Sequence, residues 1–302
     1  MSETVVKEEL WIALAEILGP RSVSFRPLIE HFGTPEAIFA AGREELAAVA
    51  PELSAGAVSS ILRGVGKTNA AGILYWCRRN GVRVLCYGEE GYPKALCSVT
   101  EPPVVLYCRG SFPDGETDFA VGVVGTRHMD EYGAGVAYKL SFELAAAGAV
   151  IVSGMADGID GVAAAAALEA GGRTVAVLGC GIDIAYPRWH ERLMREIEER
   201  GAVLSEYAPG TRPNGWNFPV RNRIISALSG ALLVVGRRRA ERRADYRKIR
   251  GVAGQTRICR AGGYHQPALR RTQSTVARRR TAGTHGGRCA FLFPFPVSRR
   301  DP

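Results

Sequence analysis

Five short runs of almost wholly apolar residues limit what this chain can fold into. They are 119–124 (Phe-Ala-Val-Gly-Val-Val), 149–152 (Ala-Val-Ile-Val), 174–178 (Thr-Val-Ala-Val-Leu), 202–205 and 231–235 (Ala-Leu-Leu-Val-Val). A half-exposed strand alternates apolar and polar residues, whereas these runs do not, so each strand is buried on both faces. Between them the spacing predicts helices over about 131–147, 160–170, 190–200 and 222–228. Strand alternating with helix, with both strand faces covered, predicts an α/β fold: a Rossmann-like, doubly wound parallel sheet. Two further strands precede it, at 82–86 and 104–107, with turns marked by Tyr92-Pro93 and Pro102-Pro103.

The first 80 residues read differently. Val6, Leu10, Ile12, Leu14, Ile17 and Leu18 recur at helical spacing, and Gly19-Pro20 stops the helix. Leu28, Ile29 and Phe32 carry a second helix, ended by Gly33. Thr34-Pro35-Glu36 is a cap followed by proline at the first helical position. Ser54 caps a helix with Val58, Ile61 and Leu62, and Ala70–Asn80 forms another. The region 1–80 is therefore expected to be a small all-α domain of SAM-like or helix-hairpin-helix-like kind. It would serve either to dock on the α/β domain, 81–235, or to grip a DNA backbone.

Charge separates a third segment. Residues 236–302 hold 18 Lys and Arg against 3 Asp and Glu, whereas the first 235 residues hold 21 against 27. The net charge of +9 thus comes from the tail alone and does not mark the body as a nucleic-acid binder. The tail shows no apolar period and is expected to be irregular. No apolar run approaches the ~20 residues of a membrane span. Met1–Glu9 carries three glutamates and no signal-type apolar stretch, so a cytoplasmic location is expected. The seven cysteines form no C-x-x-C pair and read as reduced, packed thiols. His31, His128 and His190 have no metal-ligand spacing, and neither a metal nor another cofactor is expected.

Chemistry gathers after the strands, at the edge where open α/β sheets bind ligands. Gly125, Thr126 and Arg127 follow the first core strand; the glycine admits a ligand close to the backbone, and the arginine can fork onto phosphate oxygens. Ser153, Gly154 and Met155 follow the second, where N–H groups at a helix start favour an anion and Ser153 adds a hydroxyl; Asp160 there reads as an N-cap. Gly179 and Gly181 follow the third. Finally Phe218 could stack on a base while Arg221, Asn222 and Arg223 contact phosphates; the alternative is a core phenylalanine with arginines paired to Glu206 or Asp183. Gly64-Val65-Gly66-Lys67-Thr68 imitates the end of a P-loop, but the glycine required five residues before Gly66 is Ile61, and a helix precedes the segment. No side chain presents itself as a catalytic base.

Taken together these segments resemble the DprA/Smf family of DNA-processing proteins of bacterial natural transformation. The resemblance rests on Gly91-Tyr92-Pro93, Pro102-Pro103 through Arg109-Gly110, Val123-Val124-Gly125-Thr126-Arg127, and Val152-Ser153-Gly154-Met155-Ala156. It continues through Gly158-Ile159-Asp160, Val177-Leu178-Gly179, Gly181-Ile182-Asp183, Tyr186-Pro187, Ser205-Glu206-Tyr207 and Phe218-Pro219 to Ser226. It implies a core that binds single-stranded DNA without sequence preference, forms a homodimer and loads the recombinase RecA, with no enzymatic activity. It also implies that Arg127 and the Ser153-Gly154 turn hold phosphate, with Phe218, Arg221 and Arg223 as the neighbouring wall. The family's histidine after Gly-Ile-Asp-x-x-Ala is Ala164 here. A rival reading, a nucleotide-binding or nucleotide-hydrolysing protein, lacks the Pro-Gly-Gly-x-Gly-Thr loop of phosphoribohydrolases.

The resemblance stops after Val235, midway through a βαβ unit. The codons of Ala244–Ile249, read one base later, can spell Leu-Ile-Thr-Ala-Lys-Phe, and those of Ile258–Gly262 can spell Tyr-Val-Ala-Pro-Gly. The family shows similar segments there, in that order. Residues from about 236 are therefore expected to be out of frame, so that the last strand and helix of the sheet and its dimer surface would be missing. A truncated, non-functional protein is a further alternative to the functions above, and the alternative for the segment itself is a genuine basic tail.

Overall fold

The structure, a computed structural model, describes residues 3–64, 68–112, 119–235 and 257–261. The P-loop look-alike at 65–67 and most of the basic tail lie outside the described residues.

Six helices come first: α1 (Glu3–Leu18), α2 (Phe25–Phe32), α3 (Pro35–Ala40), α4 (Arg43–Val49), α5 (Ala55–Arg63) and α6 (Ala70–Arg79). Both expected caps are made. The Ala37 N–H donates to Thr34 Oγ1 at 3.3 Å, and the Ala57 N–H to Ser54 Oγ at 3.1 Å. Helix α4, which the spacing does not announce, buries only Leu46.

The remaining elements are β1 (Arg83–Cys86), α7 (Lys94–Cys97), β2 (Val105–Gly110), β3 (Ala120–Gly125), α8 (Glu131–Ala146), β4 (Val150–Ser153) and α9 (Ile159–Glu169). They continue with β5 (Thr174–Leu178), α10 (Glu191–Arg200), β6 (Ala202–Ser205), α11 (Asn217–Ala227), β7 (Ala231–Val235) and β8 (Arg257–Ala261). The strands form one sheet in the order β1-β2-β6-β5-β4-β3-β7-β8. From β6 to β8 every pairing is parallel, as expected of a doubly wound sheet. The early strands depart from that pattern: β1 and β2 add to the β6 edge antiparallel. The strand order reverses between β3 and β7, so the crevice that such sheets offer to ligands opens at the end of β3.

The apolar runs are buried on both faces. Val124, Val152, Val177, Leu204 and Val234 meet Ile224 and Ile225 of α11 on one side. Val123, Ile151, Leu233 and Val235 meet Ala137 of α8 and Ala163 and Ala167 of α9 on the other. On that second side the core continues into the N-terminal helices: Trp11, Leu14, Phe25, Leu28 and Leu74 share one cluster with Tyr107, Ala176 and Leu178. Arg26 fastens the joint, its Nη2 donating to the carbonyls of Cys97 (2.5 Å) and Val99 (2.6 Å).

Two expectations need correction. Helix α11 begins at Asn217, five residues earlier than its apolar spacing suggests, so Phe218 and Pro219 lie in its first turn. Proline is tolerated there because the first N–H groups of a helix have no partner within it. The tail, expected to be irregular and to leave the last strand missing, contributes β8, paired parallel to β7. An uncovered parallel edge next to β7 presents unpaired N–H and C=O groups, and a short extended segment satisfies them whatever its side chains.

Candidate nucleic-acid interface

The ends of β3, β4 and β5 lie side by side, and the loops after them meet. Gly125 closes β3, and a Cβ there would overlap the Val235 carbonyl and Ile159. Thr126 stays local: its hydroxyl accepts from the His128 N–H at 3.1 Å, and its carbonyl accepts from the Ile159 N–H at 3.3 Å. Gly158, with φ of 81°, sits where a side chain would strike the carbonyls of Thr126 and Arg127. The β3 and β4 loops are therefore locked together by glycine contacts.

Asp160 is not the N-cap of α9; Gly158 is. The Asp160 carboxylate turns back under the helix start and accepts N–H groups from Gly154 (3.2 Å) and Gly125. Burial pushes its pKa up to about 6, opposed by the nearby Arg221 guanidinium, by these two hydrogen bonds and by Arg127. At the helix start, which the sequence offers to an external anion, the Gly158 N–H donates to Asp157 Oδ1 (3.1 Å), and the N–H groups of Ile159 and Gly161 donate to the carbonyls of Thr126 and Ala156, so these donors are held within the protein. Ser153 is buried too, and its hydroxyl donates to the Asp160 carbonyl at 3.3 Å. Met155 is buried with φ of 51°, and its carbonyl lies 3.0 Å from His190 Nδ1.

The three arginines part company. Arg127 is exposed, its guanidinium carbon 4.5 Å from the centre of the Phe218 ring. Arg221 is only 3% exposed. It donates to the carbonyls of Gly154 (2.8 Å) and Val177, and through Nε to Asn222 Oδ1 at 3.1 Å. Burial lowers its pKa, against the attraction of Asp160. Arg223 is buried in a bidentate pair with Glu206, at 2.8 and 2.5 Å, and also donates to the Glu101 carbonyl. Both are buried and donate to groups within the protein, Arg223 in the Glu206 pairing that was the alternative to phosphate contact. Arg127 alone of the three is open to solvent.

Phe218 is half-buried against Gly179, where a Cβ would come within 2.8 Å of the ring. It also stacks on Tyr186, with ring centres 5.3 Å apart and planes 27° apart. Asn217 Nδ2 donates to the Gly179 carbonyl at 3.0 Å, tying α11 to the end of β5. Gly181 lies one step further along, its N–H bonded to the Thr211 carbonyl at 2.8 Å. The structure thus gathers Gly125, Thr126, Arg127, Ser153, Gly154, Met155, Gly179, Phe218 and Arg221 at one edge. Asn222 stands behind Arg221, while Gly181 and Arg223 belong to neighbouring contacts. Sequence reasoning missed His190, Tyr186 and the true role of Asp160. Tyr186 carried a signal only through the Tyr186-Pro187 motif of the resemblance, and Asp160 as an acid at a helix start, a signal that pointed to the commoner capping role.

Among the described residues no helix is long and apolar enough to cross a membrane, and no group of three or more His, Cys, Asp or Glu could hold a metal ion.

Residues 83–241 match the profile of the family described as DNA recombination-mediator protein A. Protein Smf of Synechocystis is 34% identical over 232 residues, which is 76% of this chain and 58% of that protein. The chain spans about half the length of the curated relatives it matches. The X-ray structure of DNA processing protein A from Streptococcus pneumoniae superposes with a TM-score of 0.69 at 26% identity, covering 87% of this chain and 89% of that one. DNA processing protein A from Helicobacter pylori, solved to describe its single-stranded DNA binding mode, gives 0.53 at 30% identity over 61% of this chain and 82% of its own. With the profile covering more than half of its residues, this chain belongs to the DNA recombination-mediator protein A family.

Proposed function

We propose that this chain binds single-stranded DNA along its phosphate backbone at the carboxyl edge of the sheet. It protects the strand during DNA uptake in the cytoplasm and helps to load a RecA-type recombinase, as a homodimer where the C-terminal part of the core is intact; it is not an enzyme. The observation that carries the reading is Arg127, an exposed guanidinium at the switch point of a family member's sheet, supported from below by the Phe218 ring. The Helicobacter pylori relative, described for binding single-stranded DNA, supports the choice of ligand. The glycine-closed loops, with Asp160 and Arg221 bonded beneath them to backbone groups, support the Arg127 backbone without competing for the strand.

An electrophoretic shift assay on the full chain tests the proposal. Arg127→Ala is expected to weaken binding to oligo-dT and to mixed sequences alike, because backbone contacts do not read bases. Affinity is expected to fall as salt rises. Unchanged affinity in the variant would overturn the assignment.

A further inference from the structure

Three aromatic side chains around this edge reach water: two indoles are turned largely to solvent, and Tyr186 exposes the outer side of its stack on Phe218. Trp216 is 81% exposed, Trp189 72% and Tyr186 37%. Leaving two indoles in water forgoes the burial that normally places such residues, which marks a surface made for contact.

Their placement points to a particular contact. Phe218, the residue that sequence reasoning puts against a base, already has Arg127, Tyr186 and the Gly179 backbone as neighbours. A base reaching its ring would have to displace one of them. The member of this stack that reaches solvent is Tyr186. Trp189 lies three residues further along the same β5–α10 connection, its ring edge-on to His190 with centres 6.4 Å apart, and His190 is anchored on the Met155 carbonyl. Trp216 immediately precedes α11, so its Cα lies within about 7.6 Å of that of Phe218. Interleaved with these rings are the exposed Arg127, Arg188 and Arg212, none of which forms an ion pair among the described residues. The Gly181–Thr211 hydrogen bond keeps Arg212 beside the end of β5.

Flat apolar faces alternating with unpaired guanidinium groups complement a polyanion that carries unpaired bases. We infer that Tyr186, Trp189 and Trp216 form a base-stacking platform beside the phosphate site, on which successive bases of a single strand lie while Arg127, Arg188 and Arg212 follow its phosphates. This rests on the single-stranded DNA reading above and adds to it where the bases go.

The test compares oligo-dT with an abasic oligonucleotide of equal length, titrated into the full chain. The basic tail attracts both alike, so the difference between them isolates stacking. Wild type is expected to prefer oligo-dT. Trp189→Ala and Trp216→Ala should each weaken oligo-dT binding about tenfold and leave abasic binding unchanged, with melting temperatures unaltered because both side chains are exposed. Arg127→Ala should weaken both ligands. Oligo-dT should quench indole emission in wild type, and the double tryptophan variant should lose that quenching. If Arg127→Ala weakens binding while both tryptophan variants hold oligo-dT as wild type does, the platform is wrong and the phosphate site stands. If wild type binds neither oligonucleotide, both readings fall. Loss of self-association in light scattering, with oligo-dT binding intact, would make the rings a dimer surface and overturn the platform.

Discussion

Gly154 decides where Arg221 sits. The guanidinium lies in the space a Cβ would need, and it reaches the Gly154 and Val177 carbonyls because that space is empty. Gly154→Ala is therefore expected to push a buried cation off its acceptors and cost about 3 kcal/mol, read as a lower melting temperature. Phe218→Ala removes the support of Arg127 and the contacts with Gly179 and Tyr186 together. It should cost about 3 kcal/mol of stability and also weaken DNA binding. Melting and affinity measured on one sample would show both losses; normal affinity in the folded fraction would reduce Phe218 to a packing residue.

Asp160 supplies a pH signature. Its pKa is raised from an ordinary carboxyl value near 4 to about 6, so the folded state holds the proton more tightly than the unfolded one. Its contribution to stability is complete below pH ~4 and is lost as pH rises through about 6, amounting to roughly 3 kcal/mol at most. In Asp160→Asn that component disappears. Melting curves at pH 4.5 and 7.5 should show wild type losing more stability on going to the higher pH than the variant does, and equal losses would refute the shift. None of this is written at residue level in the sequence. Sequence alone leaves Arg221 and Arg223 able either to contact phosphate or to pair with Glu206 or Asp183, and only the burial of α11 on the sheet side and against Glu206 separates these two structural cations from the exposed Arg127.

Among elements, α11 shows why a boundary escapes a pattern. Its spacing predicts a helix only from residue 222, so the stretch 217–221 reads as loop; the structure makes it helix because Asn217 bonds the end of β5 and Phe218 seats on Gly179. The core strands, by contrast, were legible almost to the residue, since a run buried on both faces has no other identity. The Arg223–Glu206 pair joins α11 to the loop after β6. Glu206→Ala is expected to cost about 3–5 kcal/mol, because it leaves a buried guanidinium uncompensated. DNA affinity per folded molecule should stay the same. A loss of affinity larger than the loss of folded protein would return Arg223 to the phosphate site.

At the scale of the whole molecule, the family match ends at residue 241, close to where the resemblance in the sequence stops. Strand β8 coincides with the segment whose shifted codons can spell Tyr-Val-Ala-Pro-Gly. We propose that the residues after about 235 are read out of frame, and resequencing of the gene is expected to reveal a single-base insertion or deletion near codons 235–236. If neither restores the family pattern downstream, the basic segment is native. The change from helices to strands near residue 80 was visible in the sequence as a change of period. That the two regions share a core was not, because each helix shows its apolar face without showing what covers it.

That shared core sets an order of events in the cell. Trp11, Leu14 and Phe25 leave the ribosome early, yet part of their cluster, Ala176 and Leu178 on β5, is encoded far downstream. Roughly 100 residues separate the end of the helices from that strand, which at about 5–20 residues per second is some 5–20 s of synthesis. For that interval the nascent helices carry an uncovered apolar face, so this protein completes its first-made region only after the sheet has been translated.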